Sequence, residues 1–310
     1  MKKFLTLILY VFIFVAFVQM VIFKIDPFAI SSIGKKIDIL RRENKKLEIV
    51  NFGTSHGYVF KYNFCNLKGI GLNKPANTIY YDLQNYKYIV QNNILNDSAV
   101  IVFPISYFSF VVNENRSDLK NSSNFNNDYY FYLDNNQIWD FSYSRKFLCS
   151  LLVIQENFRS LTIGESKKKW FEIDNNKASL EWHSKVTGNK FIQYLENNEK
   201  TELEEIKSRN FQYLIDIVEL AKKKNHRIIF VTVPYYGQLL ENIGYENLEK
   251  NYYLFINKIL VKYDDIKYYN YSNFFDGSEL TVWQNSDHVS DEGADIFSKF
   301  FFNQLNMNTK

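Results

Sequence analysis

Short apolar runs alternate with helix-like segments along most of the chain. Four runs have the length and the turn-flanked ends of buried strands: residues 47–52, 99–105, 227–233 and 266–272. After the first run the period changes, because apolar side chains recur at spacings of four, three and four at Ile79, Leu83, Tyr86 and Val90. Helices that alternate with buried strands predict an α/β fold with a mainly parallel sheet.

Later segments continue this alternation after a less regular stretch. Residues 113–198 are rich in Asn and weakly patterned, so we interpret them as an insertion, in which residues 147–154 could form a helix. Thr201 and Glu204 have the spacing of a capping box at the start of the next helix. A helix is also predicted over residues 252–260, and a final helix from Ser290, with apolar positions at Ala294, Phe297, Phe301 and Leu305.

The N-terminus carries a long apolar segment. Residues 4–23 contain no charged side chain and follow Lys2 and Lys3, and a membrane-crossing helix needs about 20 such residues. The two lysines favour a cytoplasmic N-terminus. A cleaved signal peptide is the alternative, but its apolar part would be shorter and would end in small residues. We therefore expect a signal-anchor transmembrane helix over residues 1–24, a juxtamembrane stalk over 25–46, and a periplasmic or extracellular domain over 47–310.

Composition narrows the function classes. The 310 residues are 46% hydrophobic and 18% aromatic, which suits a large folded core. A net charge of +3 without a basic stripe gives no reason to expect a nucleic-acid partner. Cys65 and Cys149 are far apart and lie in no zinc-like cluster, so they could form one disulfide or remain two buried thiols.

Two short segments near opposite ends of the domain carry candidate chemistry. Ser55 lies between Gly53 and Gly57, just after the first predicted strand. In a parallel sheet, functional loops gather at the carboxyl ends of the strands. Asp287 and His288 immediately precede the final predicted helix. A serine nucleophile needs a base and an orienting group, so we expect Ser55 and His288 to meet, although each segment alone could be an ordinary turn.

These two segments resemble the first and last blocks of the SGNH/GDSL hydrolase superfamily. "FGTSHG" is similar to its serine block, and "NSDHVSDEGADIFS" to its Asp-x-x-His block. The sequence of these segments is similar to that of one branch of the superfamily, the membrane-anchored envelope proteins that act in teichoic acid D-alanylation and alginate O-acetylation. The resemblance covers roughly residues 47–305, without the insertion. It implies a three-layer α/β/α fold, Ser55 as nucleophile and His288 as base. We expect no cofactor and no metal.

The chain departs from the pattern of the superfamily in its supporting residues. Asn285 stands where the acid of the Asp-x-x-His unit is expected, so either Asn285 or the adjacent Asp287 would orient His288. An amide cannot balance the charge of an imidazolium. The usual oxyanion residues are also unmatched, and the substitutes are the backbone at Thr54 or Ser55 together with the side chains of Asn73, Asn77 and Ser106.

We therefore expect a membrane-anchored O-acyl transferase or esterase, with acetyl as the expected group, acting on a cell-surface polysaccharide. A membrane-bound acyl-transfer partner would supply the acyl group. The alternative is a catalytically inactive envelope protein of the same fold that binds glycan or a membrane partner. His56 would either help bind substrate or be an exposed turn residue, and Tyr235 would either stack on a sugar or belong to a tyrosine-rich surface.

Overall fold

Five parallel strands form the sheet that positions the candidate site. The structure, a computed structural model, describes residues 2–25, 37, 40, 46–113, 129–130, 133–138, 141–144, 146 and 176–307. The chain divides into two compact units. One comprises Met1–Asn44 and Ser117–Lys167, and the other comprises Lys45–Arg116 and Lys168–Lys310.

In the first unit the described elements are helix α1, Lys2–Ile25, and a short 3-10 turn, Asn135–Gln137. Within the described ranges, no helix combines the length and the apolar character that crossing a membrane requires. The predicted stalk is described only at residues 25, 37, 40 and 46. The predicted helix at 147–154 and Cys149 lie outside the described residues, whereas Cys65 in the second unit is a buried free thiol.

The sheet of the second unit has the order β2-β1-β3-β4-β5, and every neighbouring pair is parallel. Its strands are β1 Leu47–Asn51, β2 Gly69–Gly71, β3 Leu95–Pro104, β4 Arg227–Thr232 and β5 Lys267–Asn270. The four predicted strands are confirmed within a few residues at each end. Strand β2 was not predicted, because three residues with two glycines carry no hydrophobic pattern.

Helices cover both faces of this sheet. They are α2 Ile79–Gln91, α3 Lys177–Asn197, α4 Lys200–Lys223, α5 Gly237–Ile243, α6 Tyr245–Leu248, α7 Leu254–Lys262 and α8 Asp291–Gln304. A π-helical turn, Glu249–Tyr253, joins α6 to α7. Near α8, strands β6 Trp283–Asn285 and β7 His288–Val289 form a small antiparallel pair.

The sheet and the helices packed on its two faces form three layers. Alternate residues of a strand point to opposite faces. Ile49, Val102 and Ile229 therefore share one core cluster with Phe297 and Phe301 of α8. On the other face, α2 packs beside α4, and Phe52 contacts the ring of Tyr86 in α2 at a centroid distance of 5.7 Å. The expected α/β fold with a mainly parallel sheet is confirmed.

Two details of the sequence interpretation change. The capping box at Thr201 is wrong, because α4 begins one residue earlier, at Lys200, so Thr201 has helical backbone and cannot cap. The stretch interpreted as an insertion ends in α3, whose Leu180 and Phe191 belong to the same core cluster as the sheet. At the final helix, Ser290 is the N-cap as expected and accepts a hydrogen bond from Gly293 N at 3.1 Å.

Candidate active site

The site lies where the strand order reverses. Strand β2 lies on one side of β1, and β3, the next strand along the chain, lies on the other side. Such a switch point opens a crevice at the carboxyl ends of the strands. Ser55 follows β1 and Ser106 follows β3, so both residues lie beside this crevice.

The turn that carries Ser55 depends on Gly53 and Asp82. Gly53 has a φ of +95°, and an added Cβ would lie 3.1 Å from the backbone oxygen of Pro104, so a larger residue would be strained twice. Gly53 N donates to Asp82 Oδ1 at 3.0 Å, and Asn77 Nδ2 donates to the same oxygen at 2.5 Å. Burial raises the pKa of Asp82 to about 7, although both donated hydrogen bonds oppose this.

The turn that carries His288 is closed by one side-chain oxygen. Asn285 Oδ1 accepts hydrogen bonds from Asp287 N and His288 N, each at 2.9 Å. The same oxygen lies 3.2 Å from His288 Nδ1. Asn285 is buried, so this single group shapes the turn and holds the imidazole ring.

Ser55 and His288 meet across 233 residues of sequence, because Ser55 Oγ lies 2.7 Å from His288 Nε2. An amide oxygen can only accept a hydrogen bond, so His288 Nδ1 carries a proton and donates the hydrogen bond to Asn285 Oδ1. His288 Nε2 is then free to accept the proton of Ser55. The expected contact of Ser55 with His288 is present, and of the two candidate orienting residues, Asn285 and Asp287, it is Asn285 that lies against His288 Nδ1. The catalytic roles stay predictions.

The adjacent carboxylate turns away from His288 Nδ1 and towards another histidine. Asp287 Oδ1 lies 3.1 Å from His56 Nε2, an ion-pair distance without ideal hydrogen-bond alignment. Burial would raise the pKa of Asp287. The nearby histidines, with His56 first and then His288 and His183, outweigh it and hold the pKa at about 2. Asp287 is therefore a carboxylate at neutral pH.

His56 is a buried residue, and the interpretation as an exposed turn residue is wrong. Its side chain is 1% exposed, and its Nδ1 lies 2.5 Å from Ser106 Oγ and 3.3 Å from the hydroxyl of Tyr235. Tyr235 is also buried, so neither a sugar platform nor a surface position describes it. His56 and His288 have ring centroids 4.8 Å apart.

His288 is held in its neutral form. Burial lowers its pKa to about 4, Asp287 opposes this shift, and His56 and His183 add to it. A neutral imidazole is the state that accepts a proton from serine. The low pKa also makes His288 a weaker base than an unperturbed histidine.

The predicted oxyanion residues differ in their surroundings. Asn73 Oδ1 accepts from Asn51 Nδ2 at 3.2 Å, and Asn73 Nδ2 is buried without a hydrogen-bond partner. Asn77 donates to Asp82. Ser106 is fully buried against His56, and the hydroxyl of Thr54 lies 3.3 Å from that of Ser106. The oxyanion role of all four stays a prediction, and only Asn73 keeps a buried side-chain donor uncommitted among them.

One residue beside the site was not predicted. His183 of α3 has its Nδ1 2.8 Å from Ser286 Oγ, next to Asp287 in sequence. Burial lowers the pKa of His183, Asp287 raises it, and Lys190 lowers it. Nothing in the local pattern around His183 indicates this position, because α3 lies in the stretch that we interpreted as an insertion.

Among the described residues, one group of side chains has the residue types of metal ligands. Ligand atoms of His56, Asp287 and His288 lie within 4.8 Å of one another. Each of these side chains has a protein contact instead: His288 Nε2 with Ser55, and His56 with Asp287. Since the contacts account for these atoms, we assign no metal ligand here.

The fold and the contact define a parallel α/β protein with a serine-histidine pair at a topological switch point. No family model matches the chain, and no curated protein matches it. Several solved structures are similar to it, including two from Bacteroides species. One is a candidate acylhydrolase from Bacteroides fragilis, with 12% identity, a TM-score of 0.42, and coverage of 88% of this chain and 95% of that one.

The second is a GDSL-like lipase from Bacteroides thetaiotaomicron, with 13% identity, a TM-score of 0.42, and coverage of 88% and 96%. These likenesses are distant, and the functional argument rests on the geometry of the chain itself.

Proposed function

We propose that the chain is a serine acyl-hydrolase of the SGNH type. The observation that carries the proposal is the 2.7 Å contact between Ser55 Oγ and His288 Nε2 at the carboxyl edge of the sheet. Asn285 bonded to His288 Nδ1 supports it, since a nucleophile, a base and an orienting group are the elements that acyl transfer needs.

The reaction would proceed in two steps. Ser55 Oγ attacks the ester carbonyl while His288 Nε2 takes the hydroxyl proton, and His288 then returns this proton to the departing alcohol, which leaves an acyl-Ser55 ester. Water or a sugar hydroxyl then attacks the acyl carbonyl while His288 Nε2 takes its proton, and the bond to Ser55 Oγ breaks as His288 returns the proton to Ser55, which releases the free acid or the acylated sugar. Water makes the protein an esterase, and a sugar hydroxyl makes it a transferase.

The finer parts of the proposal rest on the sequence. The resemblance to envelope proteins supports an acetyl group and a surface polysaccharide as acceptor or substrate, with a membrane-bound partner as acyl donor. The uncharged residues 4–23 after two lysines support an anchor that leaves the domain outside the cytoplasm. A C-terminal reporter that is active only in the cytoplasm should stay inactive, and an active one would overturn this topology.

A second candidate is a glycan-binding protein without catalysis. The neutral Asn285 at the acid position favours it, because an amide does not stabilise the imidazolium that forms during reaction. The two candidates differ in one measurable property, the reactivity of Ser55.

The deciding experiment is labelling of the full chain with a fluorophosphonate, followed by tryptic mapping. Residues 47–61 form one tryptic peptide whose single serine is Ser55. We expect the adduct on this peptide, and its loss in Ser55→Ala and His288→Ala. Ser278→Ala is the matched control, because it removes an exposed serine hydroxyl that donates to Asp276 outside the site and should leave the adduct in place. An unlabelled wild-type peptide would favour the binding protein.

A further inference from the structure

Beside the Ser55–His288 pair lies a second set of side chains, with the residue types of a catalytic triad in the opposite arrangement. Ser106 Oγ contacts His56 Nδ1 at 2.5 Å, and His56 Nε2 faces Asp287 Oδ1 at 3.1 Å. In a catalytic triad the serine meets Nε2 and the acid meets Nδ1. Here the two ring nitrogens exchange these partners, and Ser106 is fully buried, so Ser106 cannot serve as a second nucleophile for an external ester.

We propose that Ser106, His56 and Asp287 form a positioning array that holds an ionised carboxylate beside His288. This inference rests on the proposed function for its purpose, because the carboxylate would stabilise the imidazolium of His288 during acyl transfer. Asn285 would supply the orienting hydrogen bond and Asp287 the charge, two tasks that one aspartate performs in the usual triad.

The hydrogen-bond directions support the array. A carboxylate can only accept, so the ring nitrogen of His56 that faces Asp287, Nε2, is the one placed to carry a proton towards it, while Nδ1 lies next to the hydroxyl of Ser106. Ser106 Oγ can in turn accept from the hydroxyl of Thr54, 3.3 Å away. The contacts therefore run from Thr54 through Ser106 and His56 to Asp287, and the last of them is an ion-pair contact.

The surroundings keep the array rigid. Thr54 Oγ1 accepts from His56 N at 3.3 Å, and Ser109 Oγ accepts from Ser106 N at 2.9 Å. The ring of Tyr235 stands edge-on to His56 with centroids 5.2 Å apart. Because residues that follow β1, β3 and β4 all contact the ring or backbone of His56, its side chain is held in place next to Asp287.

The titratable groups around Asp287 come from every element that packs there. They are His56 after β1, Tyr107 after β3, Tyr235 after β4, His183 of α3 and His288 of β7. Burial raises the pKa of Tyr107 and of Tyr235, and Asp287 raises both further. Both tyrosines therefore stay neutral, which leaves Asp287 as the negative charge of this group.

The test measures the pKa of His288 directly, so it does not depend on activity. The chain has four histidines, and ring NMR titration of the full-length protein can follow each, with assignment by single His→Gln variants. In Asp287→Asn we expect the pKa of His288 to fall below its value of about 4, by roughly one unit, because the charge that raises it is gone.

His56→Ala should act in the opposite sense. The pKa of Asp287 should rise once its main stabilising partner is lost, and the pKa of His288 should rise because His56 lowers it in the wild type. The acid limb of kcat/KM on a small acetyl ester should then move upward, whereas in Asp287→Asn it should move downward. His56→Gln, which retains an N–H near the Nε2 position, should recover part of the wild-type profile.

Activity at pH 7 gives the second readout. We expect kcat to fall roughly tenfold in Asp287→Asn with little change in KM, which is the equivalent of one pKa unit of lost imidazolium stabilisation. An unchanged pKa of His288 in Asp287→Asn, a folded and isosteric variant, would overturn the array. A shifted pKa in a protein without esterase activity would instead leave the array standing and refute the proposed function.

Discussion

Replacing Asn285 by aspartate would restore the missing acid without altering the shape of the site. Asn285 Oδ1 accepts from Asp287 N, His288 N and His288 Nδ1 at 2.9, 2.9 and 3.2 Å. An aspartate oxygen can accept all three hydrogen bonds. The turn should therefore keep its conformation while a negative charge arrives beside the ring of His288.

The magnitude follows from the distance. An opposite charge at this range raises the pKa of a histidine by about 1–3 units, which is about 1.4–4 kcal/mol of added stability for the imidazolium. Asp287 already supplies part of this effect. We therefore expect the lower end, roughly a tenfold rise in kcat at pH 7.

The pH profile makes the prediction sharp. The base is competent only above the pKa of His288, so the acid limb of kcat/KM should move from about 4 to about 5 or higher. Asn285→Asp should then be faster than wild type at pH 7 and relatively slower near pH 4. Asn285→Ala, which removes the orienting oxygen, is the matched control and should be slower throughout.

The assay is hydrolysis of a small acetyl ester by the full-length protein between pH 3.5 and 8. An Asn285→Asp profile that coincides with wild type would refute the assignment of Asn285 as the orienting residue. A rise in rate without a shift of the acid limb would show that the gain does not come from imidazolium stabilisation.

Three further predictions concern stability. Asp82→Asn should have a higher free energy of unfolding in urea than wild type at pH 8, by up to about 4 kcal/mol, but not at pH 4. The pKa of Asp82 in the folded protein, about 7, lies above the ordinary 3.8, so the contribution of Asp82 to stability is present at low pH and is lost as pH rises through that window. Equal urea midpoints of the variant and wild type at both pH values would contradict this prediction. Gly57→Ala should lower the free energy of unfolding by about 1–3 kcal/mol in thermal denaturation, because the new Cβ would lie 2.6 Å from Asn51 Nδ2 and from Asn73 Cβ. Unchanged stability would show that this turn can move to accommodate the added Cβ. Asn210→Ala should cost about 2–5 kcal/mol, because Asn210 Nδ2 donates to the carbonyls of Phe110 and Val112 at 2.8 Å each, and a urea midpoint equal to that of exposed Asn303→Ala would contradict it.

The sequence predicts the parts of the fold that have a local signal. Residues 99–104 of β3 and 228–232 of β4 are buried on both faces, so apolar runs reveal these strands. The short edge strand Gly69–Gly71 has no such run. The distant pairing of Ser55 with His288 could be anticipated because each residue follows or precedes a recognisable element, and the carboxyl ends of parallel strands share one edge.

The remaining site residues lack a local signal. His56 follows Ser55 in a glycine-flanked turn, which by composition is typical of an exposed loop. Its burial depends on Ser106, Tyr235 and Asp287, which arrive from three other elements. His183 lies in a segment whose weak periodicity conceals that α3 belongs to the core. Such positions are determined by tertiary packing, and a pattern read along one segment does not contain them.

The neutral Asn285 need not mean that the site is inactive. A triad acid does two things, since it orients the imidazole and balances its charge. Asn285 performs the first through the contact with His288 Nδ1, and it leaves the second undone. Asp287 is ionised and raises the pKa of His288 against burial. The cost of keeping a buried carboxylate is offset by His56, whose Nε2 lies 3.1 Å from Asp287 Oδ1. Separation of orientation from charge therefore accounts for both the departure from the usual triad and the buried histidine beside it.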